Sequence, residues 1–227
     1  MHKKVTKRLH GAAAKSTRKT DIRKPKVGTR ERLLEVALRQ FAADGFAGAT
    51  VDQIVAAAHV NKRMVYHYFG SKEDLYCAVL ELMYERLAQL DEALFPIAGD
   101  PATVIREIVR IYFRFLRDNP DLVQLLLWEN LQKGKYMERI AQRSERVSKS
   151  PMLGYLEKIT EAGMAAGAFR RDLNIKHLLI NLIGLCLVYF SNRYTLSRSV
   201  HLDLEDEAVL EEAAKHAADL VVRGIAA

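Results

Sequence analysis

Thr50–Lys72, TVDQIVAAAHVNKRMVYHYFGSK, is the stretch from which the fold of this chain can be worked out. Thr50 suits an N-cap, because its hydroxyl can accept from the free N–H groups of the turn that follows. Val51, Ile54, Val55 and Ala58 recur at spacings of three and four and bury one face of a short helix. His59 and Val60 leave only a tight turn before Asn61 can cap a second helix, which is helix-turn-helix spacing. On that second helix Lys62, Arg63, Tyr66 and His67 fall within an arc of ~140° at 100° per residue, while Val65 and Tyr68 are expected to point the other way. One face carries two cations, a phenol and an imidazole, and the other carries apolar bulk. A helix of this kind can dock on a scaffold and still present groups to phosphates and base edges in a major groove.

Upstream, Thr29 opens a helix with Glu31 early in it, where a negative charge suits the dipole. Leu33, Leu34, Ala37, Leu38 and Phe41 supply its buried stripe, and Gly45 is expected to end it as a left-handed cap. Downstream, Ser71 caps a long helix through Leu75, Val79, Leu82 and Met83 to about Phe95, roughly 36 Å at 1.5 Å per residue. The domain boundary is expected inside it near Cys77, giving a helix-turn-helix domain over 28–76 and a helical domain over 77–227.

Residues 1–27 form a third region, a basic flexible tail. They hold ten Lys/Arg against Asp21 alone, a net charge of +9, which leaves −2 for the rest of a chain whose total is +7. The high isoelectric point therefore belongs to the tail. Two readings stand: a solvated segment, or a basic arm adding phosphate or minor-groove contacts beside a DNA-binding domain. Its scarcity of acids also leaves a transit peptide open. A secretion signal does not fit, because the start lacks an apolar core. The most apolar run, Leu178–Phe190, is broken by Asn181 and Gly184 and falls short of the ~20 residues of a membrane span. A soluble, cytoplasmic protein without membrane association is expected.

Hydrophobic residues make up 49% of the 227 and charged residues 28%, as in a globular chain with a real core. Five Pro and twelve Gly among abundant Ala, Leu, Glu and Arg favour an all-α fold. Cys77 and Cys186 each lie in an apolar helical pattern without neighbouring ligand groups, so neither a disulfide framework nor a metal site is implied. The seven histidines show no spacing suited to a nucleophile, base and orienter, and neither an enzyme nor a cofactor is expected.

Beyond Asp100 the chain reads as successive helices. Ala102–Arg117 places Ile105, Ile108, Ile111, Tyr112 and Phe115 on one face and Arg106, Arg110, Arg114 and Arg117 on the other. That arginine stripe is either the wet face of an amphipathic helix or an anion site. The helix from Pro120 to about Gln132 is apolar all round and is expected to be buried. Glu129 within it needs a partner, either an internal arginine or backbone group, or a ligand in a cavity beside Trp128. Tyr112, Phe115, Trp128, Glu129, Tyr155, Met164 and Asn181 are the candidate ligand-binding residues. Helices follow over Tyr136–Ser148 and from Pro151 to Ala162, with Gly167 as a C-cap. The last two, 174–196 and 205–223, carry more apolar surface than one small bundle hides. They form either a homodimer interface or the core of the second domain.

The residues from Thr29 to about Leu80 closely resemble the N-terminal domain of the tetracycline-repressor (TetR) family. The resemblance rests on the Ala37–Phe41–Gly45 helix end and on TVDQIVAAAHV, NKRMVYHYF and SKEDLY. GMAAGAFRRDL resembles, more weakly, the turn before the dimer-forming helices of that family. The resemblance implies a three-helix DNA-binding domain joined through the fourth helix to a larger helical ligand-binding and dimerisation domain. By position, Thr50 and Lys72 resemble residues that hold DNA phosphates, Tyr66 and His67 resemble contacts to backbone or base edges, and Lys62 and Arg63, after the cap Asn61, resemble base readers. His59 departs from the Gly usual in this turn, though His tolerates positive φ; Arg63 is bulky where many relatives are small. The implied function is a homodimeric repressor that leaves a palindromic double-stranded operator when a small effector binds. The alternative is a DNA-binding protein without such an effector, controlled by a protein partner or acting as a nucleoid component.

Overall fold

The computed structural model describes residues 28–94, 99–142 and 150–227. The tail, Phe95 and the end of the expected Tyr136–Ser148 helix lie outside the described residues. Within them every regular element is an α-helix, apart from one isolated antiparallel bridge between Phe169 and Ala226. The all-α expectation holds.

Helix α1 (Thr29–Gly48) buries Leu33, Leu34, Ala37, Leu38 and Phe41, the stripe its periodicity predicts. Gly45 does not end it as a left-handed cap. At φ 67° and ψ 178° it kinks the chain, which then continues helical to Gly48. Only glycine occupies that backbone region without strain. The kink also brings Trp128 close, since a Cβ at Gly45 would lie 2.9–3.0 Å from its indole.

Helix α2 (Val51–Ala58) starts at a full capping box. Thr50 Oγ1 accepts from the Gln53 N–H at 3.2 Å, and Gln53 Oε1 accepts from the Thr50 N–H at 2.9 Å. His59 sits in the left-handed region at φ 52°. The Val60 N–H then reaches back to the Val55 carbonyl, which closes the turn as a Schellman motif does. Helix α3 (Arg63–Phe69) follows, and Ser71 caps α4 (Lys72–Leu94) by accepting from the Asp74 N–H at 3.0 Å.

Seven further helices complete the described chain: α5 (Pro101–Asp118), α6 (Pro120–Leu131), α7 (Lys135–Ala141), α8 (Pro151–Ala165), α9 (Ile175–Ser191), α10 (Arg193–Ser199) and α11 (Glu207–Ile225). Asp100 caps α5 and Asn174 caps α9 through their side chains. The single helix expected over 174–196 is instead α9 and α10, bent by 79° at Asn192. Asp206 rather than Glu205 marks the start of α11, accepting from the Ala208 and Val209 N–H groups. Gly167, at φ 70°, turns the chain after α8 as expected. Helix α6 is not buried all round, because Leu131 is 72% exposed and Leu126 is half-buried. Cys77 and Cys186 are buried and form no disulfide. No single helix among the described residues is long and apolar enough to cross a membrane.

Helix α1 packs on α2, α4 and α6, while α5 packs on α11, α9 and α8. The arginine stripe of α5 is largely spent on carboxylates, in keeping with a wet amphipathic face. Arg106 pairs with Asp219 at 3.1 Å, Arg110 and Arg114 share Glu107, and Arg117 reaches Asp118 and Glu207 at 2.9 Å each. A substitution at the α1 kink tests the fold directly. Gly45→Ala combines backbone strain with a clash on Trp128 and should lower unfolding stability by about 2–3 kcal/mol. Gly154→Ala, at an open position inside α8, should be neutral or stabilising by up to about 1 kcal/mol. Urea midpoints with unchanged slopes decide both.

Candidate nucleic-acid interface

The α2 turn fixes how α3 is presented. Val65 is fully buried beneath α3, whereas Arg63, Tyr66 and His67 face solvent and Tyr66 is 50% exposed. Asn61 does act as a cap, its side-chain oxygen accepting from the Arg63 N–H at 2.9 Å. Tyr68 departs from expectation. It is exposed, and its ring packs edge-on between His67 and Phe69, because a seven-residue helix has room to bury little beyond Val65 and part of Met64 and Phe69. The exposed face is therefore broader and more aromatic than the helical wheel suggests.

The cations on this face are not equivalent. Lys62 Nζ lies 2.8 Å from Asp52 Oδ1 and 3.1 Å from Oδ2, and this hydrogen-bonded carboxylate raises the lysine pKa. Arg63 makes no ion pair among the described residues. Lys72 is half-buried at the start of α4, its ammonium 4.6 Å from the centre of the Phe46 ring, and burial lowers its pKa. Thr50 is exposed with its hydroxyl engaged by Gln53. Asp52 was not singled out from sequence; the only signal was an acid in the first turn of α2, ten positions before a lysine that the turn brings back beside it.

Of the seven candidate ligand residues, Asn181 and Tyr155 lie in separate surface grooves and the others are placed individually. Glu129 is 98% buried, but the backbone and a tyrosine satisfy it. Its Oε1 accepts from the Tyr136 and Met137 N–H groups at 2.7 and 3.0 Å, and its Oε2 accepts from the Tyr76 hydroxyl at 3.4 Å. It thus caps α7, the backbone alternative rather than the ligand handle. Trp128 donates from Nε1 to the Ala42 carbonyl at 3.1 Å and packs on Gly45, so it faces α1 instead of a cavity. Phe115 and Met164 are half-buried core residues. Asn181 is exposed in a groove between α9 and α11, and Tyr155 lines a separate surface depression with Pro151, Gly154 and Lys158.

Tyr112 leads to a second buried acid that the sequence reading missed. Its hydroxyl donates to Asp91 Oδ1 at 2.7 Å, and Asp91 Oδ2 accepts from the Met152 N–H at 3.2 Å, in the first turn of α8. Asp91 is 2% exposed. It shares an apolar stripe with Ala88 and Leu94, the same kind of signal that drew attention to Glu129. Burial pushes the Asp91 carboxyl above the ordinary range, and the two hydrogen bonds oppose that shift. Burial also pushes up the Tyr76 and Tyr112 phenols, and that of Tyr84 to about 12, with the Glu129 charge adding to the effect at Tyr76 and Tyr84.

The comparisons with known proteins follow this architecture. A family model described as bacterial regulatory proteins of the tetR family matches residues 33–79, covering most of α1 through the start of α4. A second, described as a tetracyclin repressor-like C-terminal domain, matches residues 101–221. The chain is 36% identical over 210 residues to the HTH-type transcriptional repressor NicS of Pseudomonas putida, spanning 92% of this chain and 98% of NicS. It is 36% identical over 106 residues to the HTH-type transcriptional repressor SCO4008 of Streptomyces coelicolor, spanning 47% and 52% of the two chains. Among solved structures, the fatty acid degradation regulator FadR of Bacillus halodurans superposes with a TM-score of 0.67 at 20% identity, over 88% of this chain and 98% of that one. At that identity the likeness is one of fold.

The two buried acids give separable outcomes. Glu129→Ala leaves a buried and a half-buried N–H group unpaired and should cost about 3 kcal/mol, whereas Glu129→Gln keeps an acceptor and loses only the charge at the helix end, about 1 kcal/mol. For Asp91 the folded-state pKa is raised, so the native state binds the extra proton. Its contribution to stability falls as pH rises from the ordinary carboxylate range through the folded value. The stability of wild type relative to Asp91→Asn should therefore decline as pH rises above the ordinary carboxylate range; a flat or rising difference in urea titrations contradicts the assignment.

Proposed function

The chain belongs to the tetracycline-repressor family of DNA-binding bacterial transcription regulators, and we propose that it acts as a cytoplasmic, homodimeric repressor released from a palindromic operator by a small-molecule effector. The observation that carries this reading is the α3 face. Arg63, Tyr66 and His67 lie exposed on one side of a helix anchored by buried Val65, with Lys62 at its start. Arg63 and Lys62 are suited to guanine O6/N7, a contact that discriminates by about 1–3 kcal/mol. Thr50, Tyr66 and Lys72 then serve as phosphate-positioning groups and His67 as a backbone or base-edge contact. The repressor assignment draws on NicS and SCO4008, both named as repressors.

We divide the chain near Cys77 within α4, with residues 28–76 reading DNA and 77–227 binding effector and partner subunit. The separate family matches on either side support that division. Dimerisation is assigned to α9 and α11. They leave Ile180 at 63%, Ile183 at 41% and Leu220 at 48% exposed, beside a groove of about 710 Å³ where Gly184 and Gly224 leave room for close approach. An apolar face of this kind is costly in a monomer. Paired half-sites about 34–36 Å apart require two recognition helices at fixed separation, and an effector acts through its differential affinity for two such separations.

On DNA from upstream of its own coding region, purified protein should give a mobility shift at moderate salt. Lys62→Ala combined with Tyr66→Ala should weaken it tenfold or more. Absence of a shift by wild type, or full binding by the double variant, would sink the reading of α3. In sedimentation equilibrium the wild type should be a dimer at micromolar concentration, and Ile180→Glu with Leu220→Glu should yield a folded monomer with reduced operator affinity. A monomeric wild type overturns the assigned interface.

A further inference from the structure

We propose that Asp52 is a specificity-determining residue: it holds the Lys62 ammonium away from phosphate and aims it at a base edge. This rests on the reading of α3 as the DNA-contacting helix. Both side chains are exposed, at 48% for Lys62 and 74% for Asp52, yet the ammonium lies within hydrogen-bonding distance of both carboxylate oxygens. The two residues are ten apart in sequence and meet only because His59 adopts the left-handed turn conformation. A surface pair of this kind adds little to stability. Its interest is its place, on the side of the motif that faces a polyanion.

A carboxylate there repels phosphate and competes with it for the lysine. An ammonium has three N–H donors. With one donating to Asp52 Oδ2 and the ammonium held 2.8 Å from Oδ1, the others stay available, and the pair as a whole is neutral. A neutral pair releases no counterion on binding, so it adds nothing to sequence-independent affinity. A remaining N–H can still donate to a guanine acceptor from a position the ion pair restricts. Arg63, without an ion pair among the described residues, keeps its full charge beside it. Of two adjacent cations, one is thus tethered for discrimination and the other left free for attraction.

The ordinary explanation is that Asp52 merely favours the N-terminus of α2 through the helix dipole. The salt dependence of binding separates the two. Fluorescence anisotropy would compare wild type, Asp52→Asn, Asp52→Glu, Lys62→Gln and the Asp52→Asn/Lys62→Gln pair. The probes are the operator fragment found by mobility shift and an unrelated duplex of equal length, from about 50 to 200 mM KCl. Releasing Lys62 in Asp52→Asn should steepen the log–log salt slope on the unrelated duplex by about 0.9 per protomer and lower the operator preference several-fold. Asp52→Glu should restore both. The double variant should match Lys62→Gln. An unchanged slope and preference in Asp52→Asn, or equal weakening on both duplexes at constant slope, overturns the proposal while leaving the α3 assignment intact. A wild type with no operator preference overturns both together.

Discussion

A carboxylate buried in the protein interior must be met by donors, and at Glu129 that requirement organises the junction of the molecule. Its partners come from two other helices, the hydroxyl of Tyr76 on α4 and the first N–H groups of α7. Two successive left-handed residues, Lys133 at φ 58° and Gly134 at φ 70°, reverse the chain so that those N–H groups return to the acid. Aromatic rings close over the site. Tyr76, Tyr136 and Phe46 meet pairwise with centroids 4.9–5.2 Å apart, and Phe41 packs edge-on to Tyr76 at 4.9 Å. Phe41 and Phe46 belong to α1. The charge satisfaction of one residue and the packing of four rings therefore fix α1, α4, α6 and α7 together.

Helix α4 is held in the same manner near its other end. Asp91 accepts from Tyr112 of α5 and from the first turn of α8. Fifteen residues separate Tyr76 from Asp91, roughly 22 Å along a helix. Further ion pairs, Arg86 to Glu35 and Arg139 to Asp74, join α4 to α1 and α7. Polar anchors differ from apolar packing in being directional: a hydrogen-bonded acid at a helix N-terminus tolerates small sliding poorly. Helix α3 hangs from its start through Gly70 and the Ser71 cap, so α4 sets where Arg63 and Tyr66 are presented.

Local chemistry made the helix-turn-helix legible in the sequence. Thr50, the apolar repeat of α2, the compact turn at His59 and the Ser71 cap each act within a few residues, and each holds in the structure. The fold class followed from the same periodicities. Tyr68 was misjudged because a wheel assumes a helix long enough to have two faces, and α3 has only seven residues. The break at Asn192 was missed because nothing local in YFSNRY forbids a continuous helix, and α10, beyond the 79° bend, buries no residue whose spacing could mark a separate element. The Lys62–Asp52 pair spans a turn whose geometry had to be known before the two could be brought together.

The candidate ligand residues show a different limit. An acid inside an apolar stripe establishes that a partner exists, and it says nothing about which. For Glu129 the missing information lay downstream, where KGK at 133–135 can supply a left-handed reversal and α7 can supply free N–H groups. An acid followed within five to seven residues by such a turn and a new helix is better paired with that helix start than with a ligand. Asp91 shows that the pairing need not be so local, since its capped helix begins at Pro151. In both places a helix end takes the acid, because the first turn of any helix carries donors that nothing within the helix can satisfy. The interior of this chain is thus built by matching its few buried acids to its own helix starts, and Trp128 closes against α1 as a consequence of where Glu129 must point.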